Sequence, residues 1–311
     1  MKKSQPLIGV CIPTYNDGSY LFEAVQSILN QTYKNFIIYI LNDGSEFKWH
    51  ILYKKNFSNN KKIIYLYQKN SGIIKTRRRL LDLCVKNKKI NFIAQMDADD
   101  VSHPKRFQYQ VNLILKNNLD FVGCHFKRMN EKRKIFEENF APLNNEHFYL
   151  HLLTGSPFAH GSIMFRKEIL YKGINYILCN KKSFIEPEDY NFYIKCYEKN
   201  VSFGSVNRFL YFHRYHKKSF SMVHKNLYNK SFTKARSSFF KNNKPNNFLL
   251  NKKYLPHNIY LKIILLKIIF LLKFDINYKV IFHILSKFKI SDLFKIIKFF
   301  FERKINKIIY G

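Results

Sequence analysis

Acidic residues are scarce against basic ones in this sequence: 21 Asp and Glu stand against 54 Lys and Arg, a formal charge of +33 over 311 residues. Such an excess suits an anionic partner, either nucleic acid or an acidic membrane surface. A second origin stays open. Lys, Asn, Ile, Phe and Tyr, all specified by A/T-rich codons, are abundant throughout, so part of the charge has a compositional source. No basic recognition helix or RNA-binding motif accompanies the charge, which argues against specific nucleic-acid binding. Cysteine is also sparse. Cys11, Cys84, Cys124, Cys179 and Cys196 lie in apolar surroundings without a Cys-x-x-Cys pair, and they read as reduced, buried thiols of a cytosolic protein. The N-terminal apolar stretch, Leu7 to Ile12 before Pro13, is too short for a signal-peptide core, so the folded part is expected in the cytoplasm. No uncharged apolar run approaches the roughly 18 to 20 residues of a spanning helix. Apolar residues still make up 46% of the chain, ample for a packed core, and the length suits one domain with an appendage.

Against this scarcity of acids, Asn91 to Asp100 stands out: an apolar run, Phe92-Ile93-Ala94-Gln95-Met96, ends in Asp97-Ala98-Asp99-Asp100. The run reads as a buried strand, and the carboxyl ends of strands are where open α/β sheets place ligands. Acids clustered there repel one another unless a cation sits between them, and hard oxygen ligands suit Mg²⁺ or Mn²⁺ and, through it, a diphosphate. The same acids also suit the start of the helix after His103-Pro104.

The rest of the first half keeps a strand and helix rhythm. Leu7 to Ile12 reads as a strand, and Leu21, Val25, Ile28 and Leu29 as one face of a helix. Phe36 to Leu41 is the second strand, ending in Asn42-Asp43-Gly44-Ser45. Ile63 to Tyr67 is the third, followed after Gly72 by a helix carrying Ile73, Arg77, Leu80, Leu81 and Cys84. This order predicts right-handed crossovers, a mostly parallel sheet flanked by helices, and polar strand ends side by side on one rim. Asp120 to His125 and Ile163 to Arg166 read as further strands. Glu186-Pro187-Glu188-Asp189 precedes a helix.

Eight short motifs follow one another along residues 6 to 222: Pro13-Thr14-Tyr15-Asn16, Asp43-Gly44-Ser45, Asn70-Ser71-Gly72 with Arg77, Asp97-Ala98-Asp99-Asp100, Pro104-x-Arg106, His160-x-Ser162-x-Met164-Phe165-Arg166, Glu188-Asp189 and Arg214-x-His216-x-x-Ser219. In this order they resemble family 2 inverting glycosyltransferases of the GT-A fold. The resemblance implies that Pro13, Thr14, Tyr15, Asn16, Asp43 and Gly44 hold the uracil end of a UDP-sugar, with Asp43 accepting from the pyrimidine N3–H. It implies Arg77 beside the base or pyrophosphate, Asp97 with Ala98 at the ribose, and Asp99 with His216 on Mn²⁺ or Mg²⁺. Arg214 and Ser219 are implied at the diphosphate. Asp189 would be the base that takes the acceptor's proton, with Glu188 positioning it or the acceptor. Arg78 and Lys75 depart from the usual Asn and small residue. His213 has no motif support and reads as a filler or surface residue.

Beyond Met222 the character changes, and the sequence divides into a catalytic domain over 1–222, a link over 223–258 and an extension over 259–311. Residues 224 to 254 show little periodicity. From Ile259 an Ile/Leu/Phe pattern is punctuated by lysines, which suits amphipathic helices on an anionic inner-membrane surface. A helical hairpin packed on the catalytic domain is the alternative. The expected activity is transfer of a sugar from a UDP-sugar to a lipid-linked or cell-surface glycan, of lipopolysaccharide or capsule type. An inactive membrane-bound scaffold of the same fold and a nucleic-acid-binding protein are the alternative readings.

Overall fold

The computed structural model describes residues 5–177, 187–217, 219 and 223–243. Cys179, Glu186 and the basic extension expected over 259–311 lie outside the described residues. The elements run β1 (Leu7–Thr14), α1 (Tyr20–Leu29), β2 (Phe36–Asp43), α2 (Phe47–Phe57), β3 (Ile63–Gln68), α3 (Ile73–Lys86), β4 (Ile90–Gln95), β5 (Val101–Ser102), α4 (Arg106–Asn117), β6 (Phe121–Met129), β7 (Ile135–Asn139), α5 (Asn145–Thr154), β8 (Met164–Arg166), α6 (Glu188–Glu198), β9 (Phe203–Arg214) and α7 (Lys225–Asn242).

One sheet orders these strands β3-β2-β1-β4-β8-β6-β9-β5, with β7 on the flank of β6. The block β3-β2-β1-β4 is parallel throughout. β8 runs against both β4 and β6, while β9 runs with β6. The result is a mostly parallel α/β sheet flanked by helices, as the strand and helix rhythm predicts.

β1 is central and covered on both faces, so its side chains alternate between two cores. Ile8, Val10 and Ile12 pack with α1, α4 and Phe92 on one side. Cys11 packs with Leu80, Leu81 and Cys84 of α3 on the other. Each such aliphatic side chain removed from water contributes roughly 1.5–3 kcal/mol. The approach of α3 to β1 needs a glycine: a Cβ on Gly9 would stand 2.7 Å from Cys84 Sγ.

β9 is a strand the sequence reading leaves unassigned. It runs twelve residues beside β6 and delivers Arg214 to the end of the sheet where β4 also ends. Residues 225–242, read above as a link of little periodicity, form α7. Its Tyr228, Phe232, Ala235 and Phe239 fall at i, i+4, i+7 and i+11, one helical stripe hidden among Lys, Asn and Ser. The stripe docks on α5 and α6 through Phe232 against Tyr190 and Phe239 against Tyr149 and Tyr197. Among the described residues no helix is long and apolar enough to cross a membrane.

Candidate active site

The carboxyl ends of β1, β2 and β4 lie side by side, and each turns into a loop stitched to its neighbour. After β1, the Asp17 carboxylate accepts from Thr14 Oγ1 at 2.7 Å and Tyr15 N at 2.9 Å, closing a tight turn. Burial, then Asp99, pushes Asp17 up to about 7. Asn16, at a φ of 57°, ties this turn to the next strand: its N–H donates to Ser45 Oγ and its side chain accepts from Glu46 N. Pro13 and Thr14 are buried, whereas the Tyr15 ring is 53% exposed at the rim. After β2, Asp43 caps the start of α3. Its Oδ1 takes Ser71 N, Ser71 Oγ and Gln68 Nε2, and its Oδ2 takes Gly72 N. One lone pair of Oδ2 therefore remains for another donor. Gly44 has a φ of 81°, and a Cβ there would meet Asn70 N at 2.6 Å.

After β4, Asp97 is held at both oxygens, by Arg77 Nη2 at 2.9 Å and Gly161 N at 3.0 Å. Burial is the largest single influence and opposes its charge, but Arg77, by charge and by hydrogen bond, together with His160 and His213 keeps Asp97 below its ordinary value. Ala98 points inward and is buried. Gly161 is required here, because a Cβ would stand 2.8 Å from Asp97 N and collide with the Tyr211 hydroxyl.

Arg77 is buried between two acids, with Asp97 on one side and Glu188 Oε1 3.8 Å from its Nε on the other. Its Nε and Nη1 have no hydrogen-bond partner among the described residues. The resemblance places Arg77 at the base or pyrophosphate; the structure places it between the aspartate loop and the Glu188-Asp189 pair. Burial, then Asp189, pushes Glu188 up to about 7, and burial also raises Asp189. Asp189 Oδ1 accepts from Tyr190 N at 2.7 Å and from the Tyr228 hydroxyl at 3.4 Å.

His216 reaches the loop from 117 residues away in sequence, its Nε2 2.8 Å from Asp99 Oδ2. Nδ1 of the same ring is buried without a hydrogen-bond partner among the described residues. The Asp99 carboxylate suits Mn²⁺ or Mg²⁺ when diphosphate oxygens and water complete the shell, while an imidazole is a softer donor that fits Mn²⁺ better than Mg²⁺. Among the described residues no group of three or more His, Cys, Asp or Glu could hold an ion.

Arg214 is placed differently from the diphosphate expectation. It is 1% exposed, and its guanidinium donates to Asp99 O at 2.8 Å, to Glu131 O at 3.3 Å and to Glu23 at 2.7 Å, while its N–H donates to Asp100 Oδ1. It is a strut beneath the aspartate loop. Ser219 spends its hydroxyl proton on His216 O at 2.8 Å, fixing the histidine's turn. His213, expected as a filler or surface residue, is half-buried and packs as a filler. Burial, then Arg128, pushes it down to about 4, and its ring meets Phe126 edge-on beside the same loop.

Three participants escape sequence reasoning: Asp17, Glu23 and Tyr228. Asp100, a motif acid given no role of its own, is buried in the aspartate loop and raised well above its ordinary value by burial and then Asp99. Asp17 and Glu23 sit in ordinary helix-start and helix-face contexts. Tyr228 is signalled only by the spacing of its stripe.

With this geometry in view, comparisons with known proteins fall into place. The sequence profile described as "Glycosyl transferase family 2" matches residues 9–174, more than half of the chain. An uncharacterized glycosyltransferase of Rickettsia prowazekii is 35% identical over 129 residues, which is 41% of this chain and only 38% of that protein. An uncharacterized glycosyltransferase of Methanocaldococcus jannaschii is 30% identical, covering 66% of this chain and 70% of its own. The O-antigen biosynthesis glycosyltransferase WbnJ of Escherichia coli is 27% identical, covering 68% and 81%. Among solved structures, Staphylococcus aureus TarS, residues 1–349, superposes with a TM-score of 0.53 at 19% identity, covering 84% of this chain and 80% of that one. The same TarS fragment with UDP-GlcNAc gives 0.53 at 18%, covering 92% and 77%. The fold is that of these GT-A enzymes, and the chain belongs to glycosyl transferase family 2.

Proposed function

We propose that this protein transfers a sugar from a UDP-sugar to a hydroxyl of a lipid-linked or cell-surface glycan, with inversion at the anomeric carbon. The observation that carries this reading is Arg77. Buried, with Asp97 on one side and Glu188 on the other and two N–H groups unpaired, it joins a donor-side acid to an acceptor-side acid across one small space. The UDP-GlcNAc complex of the structural neighbour and the O-antigen role in the name of one relative support the substrate classes.

Each residue then has a task. The exposed Tyr15 ring packs on the uracil, and the open lone pair of Asp43 Oδ2 accepts its N3–H. Asp97 faces the ribose. Asp99 and His216 would hold Mn²⁺ or Mg²⁺, which when bound neutralises charge on the diphosphate leaving group. Arg77 leaves its two unpaired N–H groups for substrate oxygens. Asp189 takes the proton of the acceptor hydroxyl as that oxygen bonds to the anomeric carbon. The bond from that carbon to the UDP oxygen breaks with its electron pair going to UDP, so one in-line step inverts the configuration. Glu188, next to Asp189 and paired to Arg77, fixes the base. The extension over 259–311 would bring this site to the anionic inner face of the membrane, with cytoplasmic UDP-sugar as donor.

A donor screen tests the reading. UDP release from UDP-Glc, UDP-Gal, UDP-GlcNAc and UDP-GalNAc is measured with and without Mn²⁺. Release from at least one donor, dependent on the ion, is expected; no release from any of them overturns it.

A further inference from the structure

We propose that Tyr228 of α7 is a positioning residue for Asp189, its hydroxyl fixing one carboxylate oxygen and leaving the other for the acceptor's proton. This rests on Asp189 being the base.

The helix that carries Tyr228 is located at both ends. At its far end Phe239 packs on Tyr149 and Tyr197, and the Tyr149 hydroxyl donates to Asn243 O at 2.7 Å. Nearer the site Phe232 lies 4.7 Å from Tyr190 between ring centroids and stacks on Tyr228 at 6.1 Å. Tyr190 is itself pinned through its hydroxyl to Leu152 O on α5. α7 is therefore registered against the residue next to Asp189. Its first turns carry the Tyr228 hydroxyl to Asp189 Oδ1 at 3.4 Å, long for a hydroxyl donor, as catalytic contacts often are without substrate.

Tyr190 N donates to the same oxygen, so both donors to Asp189 among the described residues converge on Oδ1. A carboxylate held at one oxygen by two donors has lost its freedom to rotate, and Oδ2 is presented in a single direction. Burial pushes the Tyr228 phenol up, with Asp189 and Glu188 adding to it, so the group stays protonated and acts only as a donor here. The charged and titratable groups facing Asp189 among the described residues are Glu188, Arg77, Asp97, Tyr190, Tyr193 and Tyr228. Burial, and after it Asp97, oppose its ionised form; the Tyr190 amide, Arg77 and the Tyr228 hydrogen bond favour it. Removing the hydroxyl should therefore raise the pKa of Asp189. Activity needs the ionised base, so the acidic limb of the rate profile should move to higher pH.

The test uses the full chain, with UDP release from an equal mixture of the four UDP-sugars above, Mn²⁺ and water as the acceptor. Tyr228→Phe keeps the ring and its packing on Phe232. It should lower kcat by about tenfold, the size of effect that slight misplacement of a reacting group produces. Donor KM and UDP affinity should not change. The acidic limb should rise by about half to one pH unit, the worth of one hydrogen bond. Tyr228→Met, a second variant without the hydroxyl, should give the same shift. A merely structural role would lower Tm and leave the limb in place. Asp189→Asn separates the two readings. If it retains turnover, the assignment of the base fails. If it abolishes turnover while both Tyr228 variants keep the wild-type limb and kcat, the base stands and Tyr228 is not its positioning residue.

Discussion

Replacing Arg77 with Met is the sharpest perturbation of this site, because it removes a buried charge and leaves the volume nearly filled. In the wild type Asp97 has its pKa held below the unfolded value, so it contributes stability that is present above that value and lost as pH falls through the folded pKa. Without Arg77, burial governs Asp97 and nearby acids, and the carboxyl titrates above its unfolded value instead. It then costs stability at neutral pH, and that cost disappears as pH falls and the group protonates. Breaking a buried pair costs about 3–5 kcal/mol. The low end applies here, since Asp97 keeps the Gly161 amide and its side chain is 22% exposed. A deficit of about 3 kcal/mol at pH 8 corresponds to a Tm lower by about 6 to 12 °C for a domain of this size. Urea titrations of wild type and Arg77→Met at pH 8 and pH 5.5 read the difference. The deficit should shrink clearly at the lower pH. A deficit that is the same at both values, or smaller than about 1 kcal/mol at pH 8, would show that Arg77 does not hold Asp97 ionised.

Three other outcomes are expected. Asp99→Ala should abolish Mn²⁺-dependent UDP binding together with turnover, read by calorimetry and UDP release; wild-type UDP affinity in Mn²⁺ would refute its role. Gly161→Ala places a Cβ 2.8 Å from Asp97 N and should cost about 1–3 kcal/mol as an overpacked core position. It should also lower kcat/KM, because Asp97 must move; an unchanged Tm and rate would contradict the close packing. Full-length protein should co-sediment with phosphatidylglycerol vesicles at low salt and be released at high salt, as about 1 kcal/mol per surface-bound lysine is screened. Protein that stays in the supernatant at low salt refutes the membrane reading.

What the sequence discloses and what it conceals follow from the range of the interactions. β1, β2 and β4 are legible because each is a short apolar run ended by polar residues, and their parallel order follows from the helices between them. α2 is not, since Phe47, Ile51 and Leu52 are exposed while Tyr53 and Phe57 are buried, which smears apolar residues around the helix. The motif acids are legible as residues but not as partners. Asp97 meets Gly161 across 64 positions and Asp99 meets His216 across 117. Arg214 shows the cost of this blindness. Its neighbours in sequence suggest a diphosphate, while Glu23, 191 residues away, claims its guanidinium. α7 was concealed for a different reason: a stripe of four apolar residues in eighteen falls below the density that periodicity makes visible.

The scarcity of acids gives the site its logic. Asp17, Asp43, Asp97, Asp99, Asp100, Glu188 and Asp189 are seven of the chain's 21 acids, gathered at one end of one sheet, so their concentration cannot be an effect of composition. Such a cluster needs support that does not neutralise every carboxylate, and buried arginines supply it mostly through backbone carbonyls. Arg106 donates to Gln95 O and Gly161 O, and Arg214 to Asp99 O and Glu131 O. The planar guanidinium, with five donors in fixed directions, can brace two chain segments at once, which an ammonium could not. Of the buried arginines among the described residues, Arg77 and Arg214 also touch acids, Asp97 and Glu188 in one case and Glu23 in the other. With Arg214 committed beneath the loop, charge for the diphosphate has to come from elsewhere. Asp99 and His216, the pair left facing each other above that strut, are where an ion would bring it.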